Sequence, residues 1–376
     1  MTSDSGTTKN LTKDPLEAVS DPTLKAHLKA AQQTLHFELV GVTPISNPIT
    51  IDFYKNWIDE NQYGDMNYLK AHLPFKENPL TLNENLNSAI SIAFSYFPAY
   101  KPMHNDLLPK TLPVRTALYS HNEDYHFWLK DKLKDAIEHL QKSYPNEVFL
   151  PYVDSGPILE RDLAYKAGLG WFGKNSCMIN SQKGSLFFLG EILTSLKVAQ
   201  PPSIHADLCG KCQKCIEACP TQAISDNKTL NASKCISYLT IEAKTVAPIE
   251  LRPQIGDWFF GCDICQTVCP WNQKKLKLID ADDPRKNTTN NLNLDKTETE
   301  ALETFLKTLL ESSNKKIQKM FWGTPLLRSG GFGLKRNALI VIANRNLTTL
   351  KPQVEKYKTD PKLSELADWV LKGFLE

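Results

Sequence analysis

Cys209-Gly-Lys-Cys212-Gln-Lys-Cys215-Ile-Glu-Ala-Cys219-Pro220 and, further on, Cys262-Asp-Ile-Cys265-Gln-Thr-Val-Cys269-Pro270 hold seven of the nine cysteines in the chain. The first run has the C-x2-C-x2-C-x3-C-P spacing with which bacterial ferredoxins hold four-iron four-sulfur clusters, the fourth thiolate crossing to the other cluster. The second run repeats only the last three positions, and Cys235, between the runs, is there to supply the missing ligand. That assigns Cys209, Cys212, Cys215 and Cys269 to one cluster, and Cys219, Cys235, Cys262 and Cys265 to a second. Zinc is the alternative, but its four-thiolate sites usually take two separated C-x2-C pairs. Cys177, in Lys174-Asn-Ser-Cys177-Met-Ile, lies outside the scheme and reads as a small buried hydrophobe.

Eight cysteines crowd into the 61 residues from Cys209 to Cys269, while the N-terminus, MTSDSGTTKNLTKDP, has no apolar signal core. The expectation is a reducing, cytoplasmic setting, where clustered thiols hold metal rather than disulfides. Apolar runs such as Ile90 to Phe94 fall far short of the ~18 residues of a membrane span, so no membrane partner is expected. A length of 376 residues leaves room for two or three domains. The net charge of +2 argues against a strongly basic nucleic-acid coat protein. The balance is uneven: from Trp271 to Glu376 there are 19 Lys and Arg against 13 Asp and Glu, so the C-terminal part could meet a polyanion.

Working outward, the fold class reads as α+β and multi-domain. Residues 1–20 are a flexible tail, and 21–200 form one mixed α/β domain. In it, Leu24–Leu35 and His126–Leu140 have helical spacing, while Glu38–Val42, Ser88–Phe94 and Val148–Val153 read as strands. After Pro201-Pro202 comes a ferredoxin-like two-cluster module, 201–275. Polar residues from Asp280 to Asp295 make a connector, and 290–376 form an α-helical domain with helices near Glu300–Leu310, Leu334–Ala343 and Leu363–Leu371. The run Arg328-Ser-Gly-Gly-Phe-Gly-Leu-Lys-Arg-Asn-Ala338 joins glycine turns to a basic helix start.

Two clusters need an electron acceptor, and a ferredoxin alone would not need the ~180 residues that precede them, so the first domain should hold the chemistry. Its informative stretch is Pro151-Tyr-Val-Asp154-Ser-Gly-Pro157-Ile-Leu-Glu160-Arg161, then Lys166-Ala-Gly168-Leu-Gly170-Trp171-Phe-Gly173-Lys174-Asn175-Ser176, with Gly184-Ser185-Leu-Phe-Phe-Leu-Gly190-Glu191 as an adjacent strand. Gly168, Gly170 and Gly173 match Gly-x-Gly-x-x-Gly formally. The preceding residues read as helix, not strand, and no acidic residue is well placed downstream, so a nicotinamide site is rejected. Glu160 is expected to pair with Arg161 or cap the helix starting near Pro157.

These residues resemble the epoxyqueuosine reductases, the cobalamin-dependent iron-sulfur enzymes of the last step of queuosine synthesis in tRNA. The resemblance runs from about residue 25 to the end. It is carried by Val153–Arg161, Ala167–Ser176, Phe188–Ile192, the two cysteine runs, Cys235–Glu242 and Gly261–Gln266. It implies base-off cobalamin in the first domain, two 4Fe-4S clusters, and a C-terminal helical domain of HEAT type. Asp154 matches the family's proton donor, which should be desolvated and raised above the ordinary carboxylate value near 3.9; a helix N-cap is its structural alternative.

Carried over as cobalamin contacts are Gly173, Lys174, Asn175, Ser176, Met178, Gly184, Ser185, Cys262 and Asp263, with Asp154 beside them. Lys76 joins them, standing where relatives more often carry arginine, and an ammonium lacks the guanidinium's bidentate fork. Asp124-Tyr-His126 begins like a cobalt-binding Asp-x-His-x-x-Gly but lacks the glycine, so His126 reads as a helix-cap or tail contact. The family chemistry is reduction of an epoxide to an alkene, with Co(I) as nucleophile or one-electron donor. The partners implied are a tRNA anticodon stem-loop and an external low-potential electron donor, with the protein a monomer. Lys315, Lys316, Lys319, Arg328, Lys335, Arg336 and Arg345 are candidate phosphate contacts. The rival readings are a reductive dehalogenase, commonly led by a twin-arginine signal that Met1–Leu24 lacks, and a non-enzymatic ferredoxin-type electron carrier.

Overall fold

The computed structural model describes residues 14–97, 108, 112–198, 205–279 and 294–375. In the first half, four antiparallel strands form a sheet in the order β1-β2-β4-β3: β1 is Leu39–Pro44, β2 Ser88–Ser95, β3 Phe149–Tyr152 and β4 Phe187–Thr194. Strand β2, Ser-Ala-Ile-Ser-Ile-Ala-Phe-Ser, shows no polar alternation because helices cover both of its faces. On one face α1 (Pro22–Leu35) and α2 (Tyr125–Gln141) lay Leu24, Leu28, Leu129 and Leu133 against Val40, Ile90, Ile92 and Ile192. On the other, α3 (Glu160–Lys166) supplies Leu163 and Ala164. Gly41 in β1 is what lets the chain after α3 approach, since a Cβ there would sit 2.1 Å from the Ala167 carbonyl oxygen.

The helix starts are set locally. Asp21 caps α1, its Oδ1 accepting from the backbone of Thr23 at 2.8 Å and Leu24 at 3.1 Å, with Pro22 at the first helical position. Residues 1–20 are less of a tail than their polarity implies: Pro15–Ala18 forms a 3-10 turn capped by Asp14, and Leu16 and Val19 are buried in the α1 core. Residues 1–13, the Pro201-Pro202 boundary and most of the Asp280–Asp295 connector lie outside the described residues.

The C-terminal part is helical. Its long helices are α4 (Lys296–Glu311), α5 (Gly330–Asn344) and α6 (Ser364–Gly373), with shorter ones at Asn314–Met320 and Lys351–Glu355. A capping box between Asp295 and Glu298 starts α4. These helices do not stand apart from the cysteine module. Ile236, Leu239, Trp258, Phe259 and Phe260 share one apolar core with Leu306, Leu334, Leu339 and Val370.

That shared core overturns part of the basic-surface reading. Gly330 makes the turn into α5 with a φ of 61°, Gly331 and Gly333 lie within the helix, and Arg336 is fully buried. It donates to the backbone carbonyls of Ala243 and Thr245 and to Asn337 Oδ1, while Asn337 donates to Thr240 and Phe259 carbonyls. Arg328 is bound by Glu242, and Arg345 by Asp257. Arg336→Glu is therefore expected to lower stability by about 3–5 kcal/mol, because a carboxylate would face two backbone carbonyls in the core. Lys335→Glu, at a half-exposed position over the Tyr357 ring, should shift it by less than about 1 kcal/mol. Thermal unfolding of the two variants checks this.

Candidate active site

Strand β3 ends at Tyr152, and the buried Val153 holds the loop that follows, in which the Gly156 amide donates to the Val153 carbonyl at 2.6 Å. Asp154 stands at the head of this loop. It does not cap a helix: α3 starts only at Glu160, with Leu159 at its N-cap position and no side-chain cap bond. Instead the Asp154 carboxylate faces the start of α2. The Tyr125 hydroxyl donates to its Oδ2, and His126 Nε2 lies 3.2 Å from its Oδ1. The other imidazole nitrogen, Nδ1, is 2.7 Å from Asp124 Oδ1, and Asp124 also caps α2 by accepting from the His126 amide at 3.0 Å. Tyr125 is stacked between His126 and Phe188 of β4, with ring centres 4.1 Å away on each side. Tyr119 and Trp128 pack edge-on against Phe188.

The electrostatics run opposite to the sequence expectation. Asp154 keeps 44% of its side chain exposed; the desolvation it does undergo pushes the carboxyl up, but the His126 hydrogen bond and charge, with the Tyr125 hydroxyl, outweigh it and hold the group below its ordinary range. Burial pulls His126 down, yet Asp124 and Asp154 together lift it to about 9. The sequence alternatives for His126 captured its cap partner and missed Asp154. The available signal was Asp-x-His at a helix start, which folds an imidazole back onto its own N-cap.

Behind this group lie Lys76, Glu160 and Arg161. Lys76 is buried and donates from Nζ to the Ile158 carbonyl at 2.7 Å, beside the Tyr54 ring. Burial lowers its ammonium and raises the Glu160 carboxyl, each partly offset by the other's charge. Arg161 donates to the carbonyl of Ser176, whose φ of 62° turns the Gly173–Cys177 loop. Asn175 then reaches across, its Nδ2 3.4 Å from the Cys265 carbonyl. The loop after α3 and the second cysteine run thus meet. Other carried-over residues have structural partners. Lys174 pairs with Asp226 at 2.9 Å, and Met178 is buried among Ala93, Ala164 and Phe187. Gly184 and Ser185 sit against Asn272, whose Oδ1 accepts from the Ser185 amide at 2.7 Å, and so join the sheet domain to the cysteine module. Asp263, next to Cys262, accepts from the Leu118 amide at 2.6 Å, and burial pushes it up to about 6.

Cys209, Cys212, Cys215 and Cys269 line a single cavity of about 170 Å³ with Lys174, Asn175 and Trp271. The Trp171 indole N–H points at Cys209 Sγ, 3.5 Å away. Burial raises Cys215 and Cys269, and the other thiolates of that cavity raise them further. Elsewhere, after burial, Cys219 bears on Cys235, Cys235 on Cys262, and Cys177, Cys262 and Cys235 on Cys265. Thiols crowded in this way stay protonated until a cation offsets the repulsion of their ionised forms. Among the described residues no three Cys, His, Asp or Glu side chains converge closely enough to hold a single metal ion. No helix among them is long and apolar enough to cross a membrane.

Comparison with known proteins places these features together. Residues 208–272 match the family model of a 4Fe-4S double cluster binding domain, and residues 76–155 match that of Epoxyqueuosine reductase QueG, DUF1730. The epoxyqueuosine reductase of Salmonella typhimurium is 33% identical over 94% of this chain and 89% of its own length. That of Escherichia coli is 35% identical over 91% of this chain and 87% of its own. The structure of epoxyqueuosine reductase from Streptococcus thermophilus superposes with a TM-score of 0.77 at 26% identity, covering 94% of this chain and 90% of that one. A crystal structure of epoxyqueuosine reductase with an epoxyqueuosine-modified tRNA-Tyr stem loop superposes with a TM-score of 0.75 at 25% identity over the same shares. With its paired thiol sets, and with relatives of this identity matched over nearly their whole length, the chain belongs to the epoxyqueuosine reductase family.

Proposed function

We propose that this chain reduces the epoxide of epoxyqueuosine in a tRNA anticodon loop to the alkene of queuosine, consuming two electrons and two protons and releasing water. The observation that carries this reading is the placing of Asp154, held by Tyr125 and His126, in the loop that leads into α3, whose Arg161 binds the loop that touches the second cysteine run. The eight thiolates would hold two 4Fe-4S clusters, Cys209, Cys212, Cys215 and Cys269 on one and Cys219, Cys235, Cys262 and Cys265 on the other, supplying electrons one at a time.

Between the thiols and Asp154, the residues suit cobalamin by their donor chemistry. Asn175, Ser176 and the Cys262–Asp263 backbone carry amide, hydroxyl and carbonyl groups of the kind that would pair with the amide-bearing rim of a corrin, in exchange for their present partners Cys265, Cys177 and Lys228, with Lys76 and Gly173 behind them. Cobalamin bound there would supply a strongly reducing, nucleophilic cobalt centre. The protein's own part is the proton: Asp154 delivers it to the oxygen that leaves, and the Tyr125 and His126 contacts fix the direction of its carboxylate.

The layout we assign is a cobalamin domain to about residue 200, a two-cluster module to about 275, and a HEAT-like helical domain beyond about 290. The whole acts as a cytoplasmic monomer fed by an external low-potential donor. For the tRNA, the exposed Lys315 and Lys316 replace Lys335 and Arg336 as phosphate contacts. Their helix leads into Trp322, which is 71% exposed, and Gly323, whose carbonyl accepts from the Asp124 amide at 2.9 Å. This ties the basic helix to the Asp154 site. Lys315→Glu with Lys316→Glu should weaken stem-loop binding and reduce the slope of log K against log salt by about 2, as read in a binding titration at several salt concentrations.

Expression of the chain in cells that accumulate epoxyqueuosine in their tRNA tests the function. Replacement of epoxyqueuosine by queuosine supports it; unchanged epoxyqueuosine with soluble, iron-loaded protein speaks for the electron-carrier alternative.

A further inference from the structure

We infer that His126 stores the proton that Asp154 delivers, and passes it along the Nε2 to Oδ1 contact. The inference deepens the proposed function and rests on it. Asp154 is poorly suited to hold the proton at rest, because it accepts from two donors, the Tyr125 hydroxyl and the His126 imidazole. His126 lies between two carboxylates, 2.7 Å from Asp124 and 3.2 Å from Asp154. Such an arrangement stabilises an imidazolium, and the direction of both shifts agrees: His126 is raised and Asp154 lowered.

The transfer balances simply. The Nε2–H bond of the imidazolium breaks and an Oδ1–H bond forms on Asp154, leaving a neutral imidazole that keeps its Nδ1–H toward Asp124. The carboxyl then releases that proton to the departing oxygen, and solvent reprotonates His126, whose side chain is 32% exposed. Asp124 thus remains ionised throughout and fixes the tautomer. The groups facing the pair are Asp124 and Tyr125 at the start of α2, Asp154 and Ser155 in the loop after β3, and Tyr119 in the turn Leu118–His121; Tyr68 on the short helix Asn67–Ala71, Glu160 and Arg328 act on Asp154 from farther away. His126 is here a positioning residue that works through Asp154, not a group that touches the substrate.

The test has two arms. In the first, the imidazole 15N shifts of the cluster-loaded protein are followed against pH, with the His126 signal assigned by its loss in His126→Gln. The expected result is an imidazolium that persists past pH 8 and titrates near 9, moving toward the ordinary 6.5 in Asp124→Asn. Titration of the wild-type His126 near 6.5 would overturn the inference, whatever the activity. In the second arm, kcat for a modified stem-loop is measured against pH in the fully loaded enzyme. Wild-type kcat should hold through neutrality and fall as pH rises through about 9. His126→Gln should lose about 100-fold at pH 8, with KM little changed, and should decline from the acid range upward, because Asp154 must then carry its own proton. An alkaline limb unmoved in His126→Gln would also overturn it. Absence of any epoxide reduction by the wild type would instead refute the function, with the first arm still standing by itself.

Discussion

Asp154→Asn is expected to retain its full iron and corrin content while reducing epoxide about 10²- to 10⁴-fold more slowly, the usual span for loss of a general acid. The substitution keeps the shape of the side chain and an acceptor for the Tyr125 hydroxyl, so the loop after β3 should stay in place. What it removes is the exchangeable proton and the negative charge. The second loss has a separate signature: with one of its two carboxylates gone, His126 should titrate lower than about 9. The sign follows from the pair itself, since each group favours the charged form of the other. Iron and corrin content by absorbance, turnover by nucleoside analysis and the His126 titration separate loss of the acid from collapse of the site. Near-normal turnover in Asp154→Asn would move the acid elsewhere.

The second large effect concerns the thiols. Cys269→Ser and Cys235→Ser are each expected to lower bound iron by about half, from two clusters to one, and to abolish turnover with the external donor. We assign them to different clusters: Cys269 lines the cavity of Cys209, Cys212 and Cys215, whereas Cys235 is assigned with Cys219, Cys262 and Cys265. Cys177→Ser should leave iron unchanged, because burial, with Asp263, Cys269 and Cys215 nearby, makes its thiol hard to ionise. Iron analysis with electron paramagnetic resonance of the reduced variants checks this. Zinc in place of iron, or equal iron in all three variants, would contradict the two-cluster assignment.

The parts of the molecule that were legible in its sequence are those fixed by local chemistry. The spacing of the cysteine runs is short-range, and the apolar run Ser88–Phe94 becomes a fully covered strand whichever helices cover it. The stripe Leu129, Leu133, Ile137 and Leu140 faces the core as its period requires. The parts that were not legible depend on what a residue meets from elsewhere in the chain. Lys335 and Arg336 look alike in sequence, but only Arg336 points into the seam with residues 243–245. Ser185 reads as a pocket residue until Asn272, 87 positions away, takes its amide. Asp154 reads as a desolvated acid because burial is the natural guess; the His126 imidazole that reverses the sign comes from another helix start. Leu16 and Val19 were hidden by their polar surroundings.

In the proposed reaction, electrons entering through the cysteine-held clusters and a proton from Asp154 together convert an epoxide to an alkene. Mass spectrometry of nucleosides, after the fully loaded and reduced protein has been incubated with an epoxyqueuosine-bearing stem-loop, tests it most directly. Queuosine is the expected product, with loss of a single oxygen and no accumulating diol. Epoxyqueuosine that persists while clusters and corrin are fully reduced would contradict it.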